Sequence, residues 1–340
     1  LNRQQEEAVR QMEGPVLLLA VPGSGKTTVL VTRLGYMLYC KGIRPERILT
    51  VTYTIAATRD MKARFTSFFG EEYADKLTFR TINGLCAVVI QHYARQKGTD
   101  AFALLDDERQ IKSVIRDLLA RTGTAFPSDQ QVSDARTHIT YCKNMMLSES
   151  EIHAHKVDGM DFPRVYFEYQ DYLRRSRQMD YDDQMVFTHR IFRQYPDILA
   201  YFQRRWPYLC VDEAQDTSKI QHAILRLLAS GSNNIFMVGD EDQSIYGFRA
   251  AWPQALLEFE QVFPGAKILK LETNYRSTRA IVERADTFIR RNQNRRPKKM
   301  RTENQQGSPI RRIMLTDYNR QYNYLLKIAE GCTESTAVLY

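Results

Sequence analysis

The sequence predicts an α/β protein with a parallel sheet and flanking helices, and three observations support this class. Short apolar runs of strand length alternate with longer stretches of helical periodicity along most of the 340 residues. The apolar run at residues 16–20 leads directly into a Gly-rich turn and then into helix-forming sequence. Two further apolar runs end in polar clusters, at residues 212–216 and 240–244. Open α/β sheets bind their ligands at such strand ends.

Composition and charge exclude several classes of protein. No apolar stretch is long enough to span a bilayer, and the amino terminus lacks a signal-peptide pattern. The five cysteines are scattered without a C-x-x-C pair, which argues against a zinc site and a disulfide framework and fits a reducing cytoplasm. The net charge of +8 permits nucleic-acid binding without demonstrating it.

The first β–α unit carries a candidate phosphate-binding loop. A Gly-rich turn between a strand and a helix directs backbone N–H groups at an anion, and the helix amino terminus adds partial positive charge. Lys26 reaches a terminal phosphate, and the Thr27 hydroxyl holds Mg²⁺. The usual first Gly of such a loop is Ala20 here. A chance Gly-Lys-Thr on a surface loop is disfavoured by the flanking strand and helix. The predicted nucleotide-binding residues of the loop are Pro22, Gly23, Ser24, Gly25, Lys26, Thr27 and Thr28.

A short helix precedes this loop and contains a candidate base-reading residue. The Gln5 amide offers both a donor and an acceptor, which match the N6 and N7 positions of adenine. Glutamine is also common on exposed helices, so the position upstream of the loop is what favours adenine.

Two more β–α steps follow the first one. Strands are expected at residues 48–53 and 77–80, with helices from residue 54 to 69 and from residue 82. The residues at the carboxyl ends of these strands are candidates for ligand contact. They are Tyr53, Thr54, Thr81 and Asn83.

From residue 88 to 178 the pattern becomes helical, without strand signals, which predicts an inserted helical subdomain. The acids at residues 180–183 then open another helix. Capping and interaction with the helix dipole explain these acids better than catalysis does.

The α/β pattern resumes at residue 208, and this strand ends in Asp212 and Glu213. In a phosphate-loop enzyme the first carboxylate of such a pair completes the Mg²⁺ shell. The second lies free of the metal and orients and deprotonates a water. We therefore expect a magnesium-bound triphosphate against Gly25 and Lys26, with both acids facing it from the neighbouring strand.

The next strand, at residues 235–239, ends in a polar turn followed by aromatic residues. Gln243 is placed to contact the terminal phosphate. Tyr246 and Phe248 offer flat faces beside Arg249, an arrangement that favours stacked bases. The alternative is that both aromatic residues belong to the core.

The last predicted strand, at residues 268–273, leads into a helix from residue 278 to 291. Tyr275 is a candidate for stacking on adenine, and Arg276 for an arginine finger acting in cis. The basic stretch at residues 290–299 fits a solvated loop and a phosphate-contacting patch equally well.

In order, these stretches resemble the motifs of superfamily one DNA helicases of the UvrD, Rep and PcrA kind. Their motif I also begins with Ala. The matching stretches are residues 1–8 (Q motif), 20–27 (motif I), 52–61 (Ia), 81–86 (Ib), 211–216 (II), 238–251 (III) and 271–277 (IV). The family usually has Gly-Ala, Arg, Asn-Lys and His at positions where this chain has Val21-Pro22, Thr28, Ile55-Ala56 and Asn83.

The resemblance implies two RecA-like lobes that bind ATP and Mg²⁺ between them and single-stranded DNA across them. By position, Gln5 reads adenine and Tyr275 stacks on it, while Lys26 and Thr27 hold phosphates and Mg²⁺. Asp212 serves the metal and Glu213 the water, and Gln243 and Arg276 sense the γ-phosphate. The implied DNA contacts are Tyr53, Thr54, Thr81, Asn83, Tyr246, Phe248 and Arg249.

The resemblance also implies a domain division. Residues 1–87 and 179–264 form a RecA-like ATP-binding lobe, residues 88–178 the helical insertion, and residues 265–340 an incomplete second RecA-like lobe. We expect the ATP-binding, amino-terminal part of a longer ATP-dependent DNA helicase, which binds nucleotide weakly and does not unwind by itself. Its expected setting is a cytoplasmic monomer without membrane contact that acts on single strands and single/double-strand junctions with repair or replication partners. The alternatives are a phosphate-loop ATPase switch and a strand-binding module without ATPase activity.

Overall fold

A six-stranded parallel sheet lies at the centre of the protein. The computed structural model describes residues 1–247, 250–333, 335 and 337–338. The strands form where the sequence has short apolar, β-branched-rich runs. They are β1 (Val16–Ala20), β2 (Ile48–Thr52), β3 (Thr78–Thr81), β6 (Tyr208–Val211), β7 (Ile235–Gly239) and β8 (Lys267–Leu271), and a separate two-stranded sheet holds β4 (Ala103–Leu104) and β5 (Gln178–Met179).

The order of strands in the large sheet is β3-β2-β6-β7-β1-β8, and every neighbouring pair is parallel. All six carboxyl ends therefore lie along one edge. β1 is fully buried between β7 and β8, as expected for a continuous apolar strand covered on both faces. The predicted α/β class, a parallel sheet with flanking helices, is confirmed.

Helices cover both faces of the sheet and build the insertion. Among the described residues, no helix is both long and apolar enough to cross a bilayer. The helices are α1 (Arg3–Arg10), α2 (Lys26–Gly35), α3 (Ile55–Phe69), α4 (Ile82–Lys97), α5 (Glu108–Arg121), α6 (Asp129–Asn144), α7 (Glu149–Ala154), α8 (Phe162–Arg175), α9 (Tyr181–Gln194), α10 (Pro196–Arg205), α11 (Lys219–Ala229), α12 (Gln254–Leu257), α13 (Phe259–Val262), α14 (Arg279–Ile289) and α15 (Tyr318–Glu330).

Alternation along β1 separates two apolar cores. Leu17 and Leu19 pack into one core, with α4, α9 and α11. Val16 and Leu18 pack into the other, with α1, α2 and α3. The period of two along a strand sends successive side chains to opposite faces, so one short strand anchors both layers.

The predicted helical insertion has a core of its own, built from α5 to α8. The expectation that it contains no strand was wrong, because β4 pairs with β5 in parallel. Two residues per strand give too short a pattern to be read from sequence. α4 runs without a break past residue 88, the predicted start of the insertion.

The start of α9 confirms the capping interpretation and adds a charge cluster. Asp180 is the N-cap of α9, and its side chain accepts a hydrogen bond from the Asp183 N–H at 2.8 Å. Lys143 on α6 lies 2.9 Å from Asp180 Oδ2 and 2.8 Å from Asp183 Oδ1. Asp182 accepts from Asn144 Nδ2 at 2.7 Å. These acids therefore also tie the insertion to the sheet-bearing part of the chain.

β8 extends the large sheet beyond the predicted boundary at residue 264. Lys267 to Leu271 pair in register with Val16 to Ala20 of β1. The sheet of the first lobe therefore includes residues that the sequence analysis assigned to the start of the second. The other predicted domain limits stay predictions.

Candidate functional site

The loop between β1 and α2 adopts a conformation that requires glycine at two positions. Gly23 and Gly25 have φ of 68° and 85°, in the left-handed region. A Cβ on Gly23 would lie 2.7 Å from the Arg276 Cβ, and one on Gly25 would lie 3.0 Å from Gln5 Nε2. The Ser24 hydroxyl between them is buried without a hydrogen-bond partner. The loop is thus a close-packed backbone cradle that ends at the amino terminus of α2, the geometry that binds phosphate.

Lys26 and Glu213 meet above this cradle, with Nζ 2.9 Å from Oε2. They come from α2 and from the end of β6. We expected the acids on the strand next to β1, and this was wrong, because β7 lies between β1 and β6. The ion pair crosses the end of β7, because the Lys26 and Glu213 side chains each reach across about one strand spacing. Glu213 has φ of 48°, a left-handed conformation that a non-Gly residue rarely adopts.

The three carboxylates at the end of β6 have different proton affinities. Burial, reinforced by the Glu213 charge, raises the pKa of Asp212 to about 6. Burial and the Glu213 charge likewise raise the pKa of Asp216 to about 6. Burial opposes ionisation of Glu213 too, but the Lys26 charge and a hydrogen bond from Gln215 prevail and lower its pKa. Glu213 is therefore the carboxylate of the three that stays ionised to the lowest pH.

The acids at this edge fit a metal held jointly with phosphate. Within the described part of the chain, no three His, Cys, Asp or Glu side chains converge to hold a metal ion by themselves. Asp212 is 7% exposed, and its Oδ1 has no hydrogen-bond partner. A buried carboxylate oxygen without a partner is costly unless a cation or donor meets it. Hard oxygen donors of this kind, with the Thr27 hydroxyl at the start of α2, suit Mg²⁺.

Beside the loop, hydrogen bonds join Asn2 and Gln5 of the amino-terminal segment to Tyr275, which lies far from them in sequence. Gln5 Nε2 donates to the Ser24 carbonyl at 3.0 Å, and Gln5 Oε1 accepts from the Asn2 N–H at 2.9 Å. One N–H and one lone pair of the amide remain for another partner. Asn2 Nδ2 donates to the Tyr275 hydroxyl at 2.6 Å, and Tyr275 N–H donates to the Gly23 carbonyl at 2.9 Å. Tyr275 is half exposed, which leaves its ring accessible for stacking.

Gln243 lies in the turn after β7 and contacts protein in this structure. Its Nε2 donates to Asp240 Oδ2 at 2.6 Å. Lys298, which is 2% exposed at its side chain, lies 2.9 Å from Asp240 Oδ1 and 2.6 Å from Glu241 Oε1. The turn is thereby fixed to the segment that follows α14.

The second candidate surface follows the same sheet edge towards β2 and β3. The rings of Tyr53 and Tyr246 lie nearly parallel, with centroids 6.2 Å apart and an interplanar angle of 17°. Thr54 and Thr81 cap α3 and α4 through their oxygens, which leaves each hydroxyl proton free to donate. Asn83 Oδ1 is buried without a partner. The predicted contacts Phe248 and Arg249 lie outside the described residues.

Comparison with known protein families identifies the family to which this chain belongs. Residues 1–264 match the family model described as the UvrD/REP helicase N-terminal domain. The chain belongs to this family. Its six-stranded sheet with flanking helices is a RecA-like helicase lobe.

Two relatives in the family illustrate the match. The chain is 36% identical over 332 residues to the protein named ATP-dependent DNA helicase PcrA of Staphylococcus epidermidis, covering 96% of this chain and 45% of the relative. It is 36% identical over 315 residues to the protein of that name in Staphylococcus aureus, covering 91% of this chain and 42% of the relative. The chain thus spans about half the length of the curated relatives it matches.

Sequence reasoning missed three residues that organise the site. Gln215 joins Glu213 to the turn after β7. Asn274 donates to the Pro22 carbonyl at 2.7 Å and accepts from the Arg276 N–H at 2.9 Å. Lys298 belongs to the basic stretch that we read as solvated or phosphate-binding, but Arg295, Arg296 and Lys298 all pair with acids of the protein. A polar residue inside a motif was the available signal for Gln215 and Asn274.

Proposed function

We propose that this chain is the ATP-binding part of an ATP-dependent DNA helicase and that it couples ATP hydrolysis to movement along single-stranded DNA. The observation that carries the proposal is the meeting of Lys26 with Glu213 beside the unpartnered Asp212 oxygen. The same sheet edge carries the stacked Tyr53 and Tyr246 rings. Nucleotide and strand therefore bind along one continuous edge.

Each site residue has a chemical task in this proposal. The β1–α2 loop binds the phosphates, and Lys26 exchanges its ion pair with Glu213 for one with the terminal phosphate. Mg²⁺, held by Asp212 and Thr27, would neutralise charge on the phosphates. Glu213 then orients the attacking water and accepts its proton. Gln243 and Arg276 contact the γ-phosphate, while Gln5 and Tyr275 hold adenine.

The strand contacts supply the second half of the proposal. Stacking of a base on an aromatic ring contributes about 1–3 kcal/mol. Tyr53 and Tyr246 provide rings, and Thr54, Thr81 and Asn83 provide hydroxyl and amide groups for phosphate or sugar. Phe248 and Arg249 are proposed to extend this surface.

The test is ATP turnover of the full-length native protein with and without a single-stranded oligonucleotide. We expect strong stimulation by the strand, loss of turnover in Glu213→Gln with nucleotide binding retained, and strand affinity about 5- to 150-fold weaker in Tyr246→Ala. Phe126→Ala, at an exposed loop position far along the chain from these motifs, is the control. Turnover that ignores the strand would favour an ATPase switch. Unchanged turnover in Glu213→Gln would favour a strand-binding module.

We further propose a cytoplasmic setting, because the scattered cysteines lack the spacing of a disulfide framework. The preferred substrates are single strands and single/double-strand junctions, with DNA-repair or replication proteins as partners. The 340-residue chain by itself is proposed to be monomeric, to bind nucleotide weakly and not to unwind duplex. A strand-displacement assay on this chain tests the last point, and unwinding by it would contradict the proposal.

A further inference from the structure

Gln215 lies at the centre of a hydrogen-bond chain that links Glu213, the proposed general base, to the turn after β7. The residue is 2% exposed. Its Nε2 donates to Glu213 Oε2 at 2.7 Å, and its Oε1 accepts from the Asp240 N–H at 3.1 Å. The side chain thus touches both Glu213 and the first residue after β7.

The orientation of this amide follows from its partners. A backbone N–H only donates, so the amide atom that meets the Asp240 N–H is the oxygen. The NH₂ group must then face the carboxylate of Glu213. The buried amide has one arrangement that satisfies both neighbours, and the reversed one would set N–H against N–H and oxygen against carboxylate.

Gln215 and Lys26 both contact the same oxygen of Glu213. Lys26 Nζ lies 2.9 Å from Oε2, the atom to which Gln215 also donates. Among the described residues, no donor contacts the other oxygen, Oε1. When Lys26 turns to a phosphate, Gln215 is the donor that stays on Oε2. Oε1 is then the oxygen left to accept a proton from water.

The turn after β7 is shaped around Gln215. A Cβ on Gly239 would lie 2.9 Å from Gln215 Oε1, so the strand end needs glycine for the amide to fit. Ser244 Oγ donates to the Gln215 carbonyl at 3.1 Å. Gln243, the proposed phosphate contact, therefore lies in a turn that is attached to Gln215 at both ends, and Tyr246, the proposed base contact, follows two residues after the second attachment.

We propose that Gln215 is a positioning residue that selects Oε1 of Glu213 as the proton acceptor and ties this carboxylate to the turn carrying Gln243 and Tyr246. This inference rests on the proposed function.

The test is the kcat and KM of strand-stimulated ATP turnover by the full-length protein in two variants. Gln215→Leu removes both contacts. Gln215→Glu keeps an acceptor for the Asp240 N–H but removes the donor to Glu213. We expect kcat to fall about 10- to 100-fold in both, with KM for ATP changed less than about twofold.

The split between kcat and KM separates positioning from a merely structural role, because a distorted cleft would raise KM as well as lower kcat. The fall in kcat should be larger in Gln215→Glu, where a second carboxylate faces Glu213. Gln203→Leu is the matched control, because Gln203 also donates to a protein oxygen, the Leu227 carbonyl at 2.8 Å, but does so between α10 and α11. It should leave kcat and KM unchanged.

The outcomes distinguish this inference from the proposed function. Unchanged kcat in both Gln215 variants, or a fall in kcat accompanied by an equal rise in KM, would overturn the inference alone. Absence of turnover in the unsubstituted protein would overturn the proposed function and the inference with it. If Gln215→Leu fails to fold, Gln215→Glu decides, since it preserves the backbone contact.

Discussion

Two clusters of three carboxylates, at residues 180–183 and 212–216, are alike in sequence and opposite in environment. In the first, Lys143 contacts two of the acids, while Arg136, Asn144 and Thr140 contact Asp182. In the second, Lys26 is the one cation within ion-pair distance among the described residues, and oxygens of Asp212 and Asp216 have no partner. We call the first cluster saturated, because its acids are matched by partners within the protein, and the second unsaturated. The saturated cluster holds two parts of the fold together, whereas the unsaturated cluster can still bind a ligand.

The pKa directions express the same contrast at Asp180 and Asp212, although burial also raises the pKa of Asp182 and raises that of Asp183 to about 6. In the first cluster burial acts against ionisation of Asp180, but Lys143 and Arg136 outweigh it and lower its pKa to about 2. Burial raises the pKa of Asp212 to about 6 because its neighbourhood supplies too little positive charge. A charge deficit of this kind at a strand end is typical of sites that bind a cation.

The largest expected effect comes from removing the central cation of the saturated cluster. Lys143→Met leaves buried acids unpaired and should lower the free energy of unfolding by about 3–5 kcal/mol at pH 7, measured by urea titration. The loss should shrink as pH falls, because the variant protonates Asp180 while the unsubstituted protein resists protonation down to about pH 2. Lys62→Met, which removes an exposed ion pair with Asp75, is the control and should cause no measurable change. Equal losses in both would end the comparison.

A smaller effect of opposite sign is expected at the unsaturated cluster. The folded-state pKa of Asp212 lies above the usual value, so its charge disfavours folding, and the cost grows as pH rises from about 4 to about 6. Asp212→Asn should therefore stabilise the nucleotide-free protein by about 1–3 kcal/mol at pH 7 and by little at pH 4, by urea titration. The same variant should lose Mg²⁺-dependent nucleotide binding. Asp180→Asn is the matched substitution in the other cluster and should destabilise.

The smallest effect is a fraction of a proton. A carboxylate must lose its proton to bind a cation, so Mg²⁺·ATP binding at pH 6 should release about half a proton from Asp212. Calorimetry in buffers of different ionisation enthalpy measures this number. Release should be near zero at pH 8, and at pH 6 it should fall in Asp212→Asn. Release that is equal at both pH values would contradict the assignment of the metal ligand.

The sequence predicted those parts of the site that are local along the chain. The loop at residues 20–27 and the acids after β6 could be recognised from their spacing and from the strand that precedes each of them. The order of strands was not predictable, so β7 between β1 and β6 came as a correction. Gln215, Asn274 and Lys298 were missed because their roles depend on partners that approach only in the folded state. Lys298 shows this limit of sequence analysis. A lysine that is buried among acids in the folded protein cannot be distinguished from a solvated lysine when both lie in a basic stretch of sequence.

The position of β1 in the sheet has a consequence for synthesis on the ribosome. β1 is the first strand to emerge, yet both of its partners, β7 and β8, begin at residues 235 and 267. At ordinary elongation rates of about 5–20 residues per second, this apolar strand waits roughly 10–40 s for a neighbour. The phosphate cradle is thus encoded first and completed last. If translation stops before residue 267, β1 lacks its β8 partner, and an apolar strand edge prone to association remains exposed instead of a smaller folded lobe.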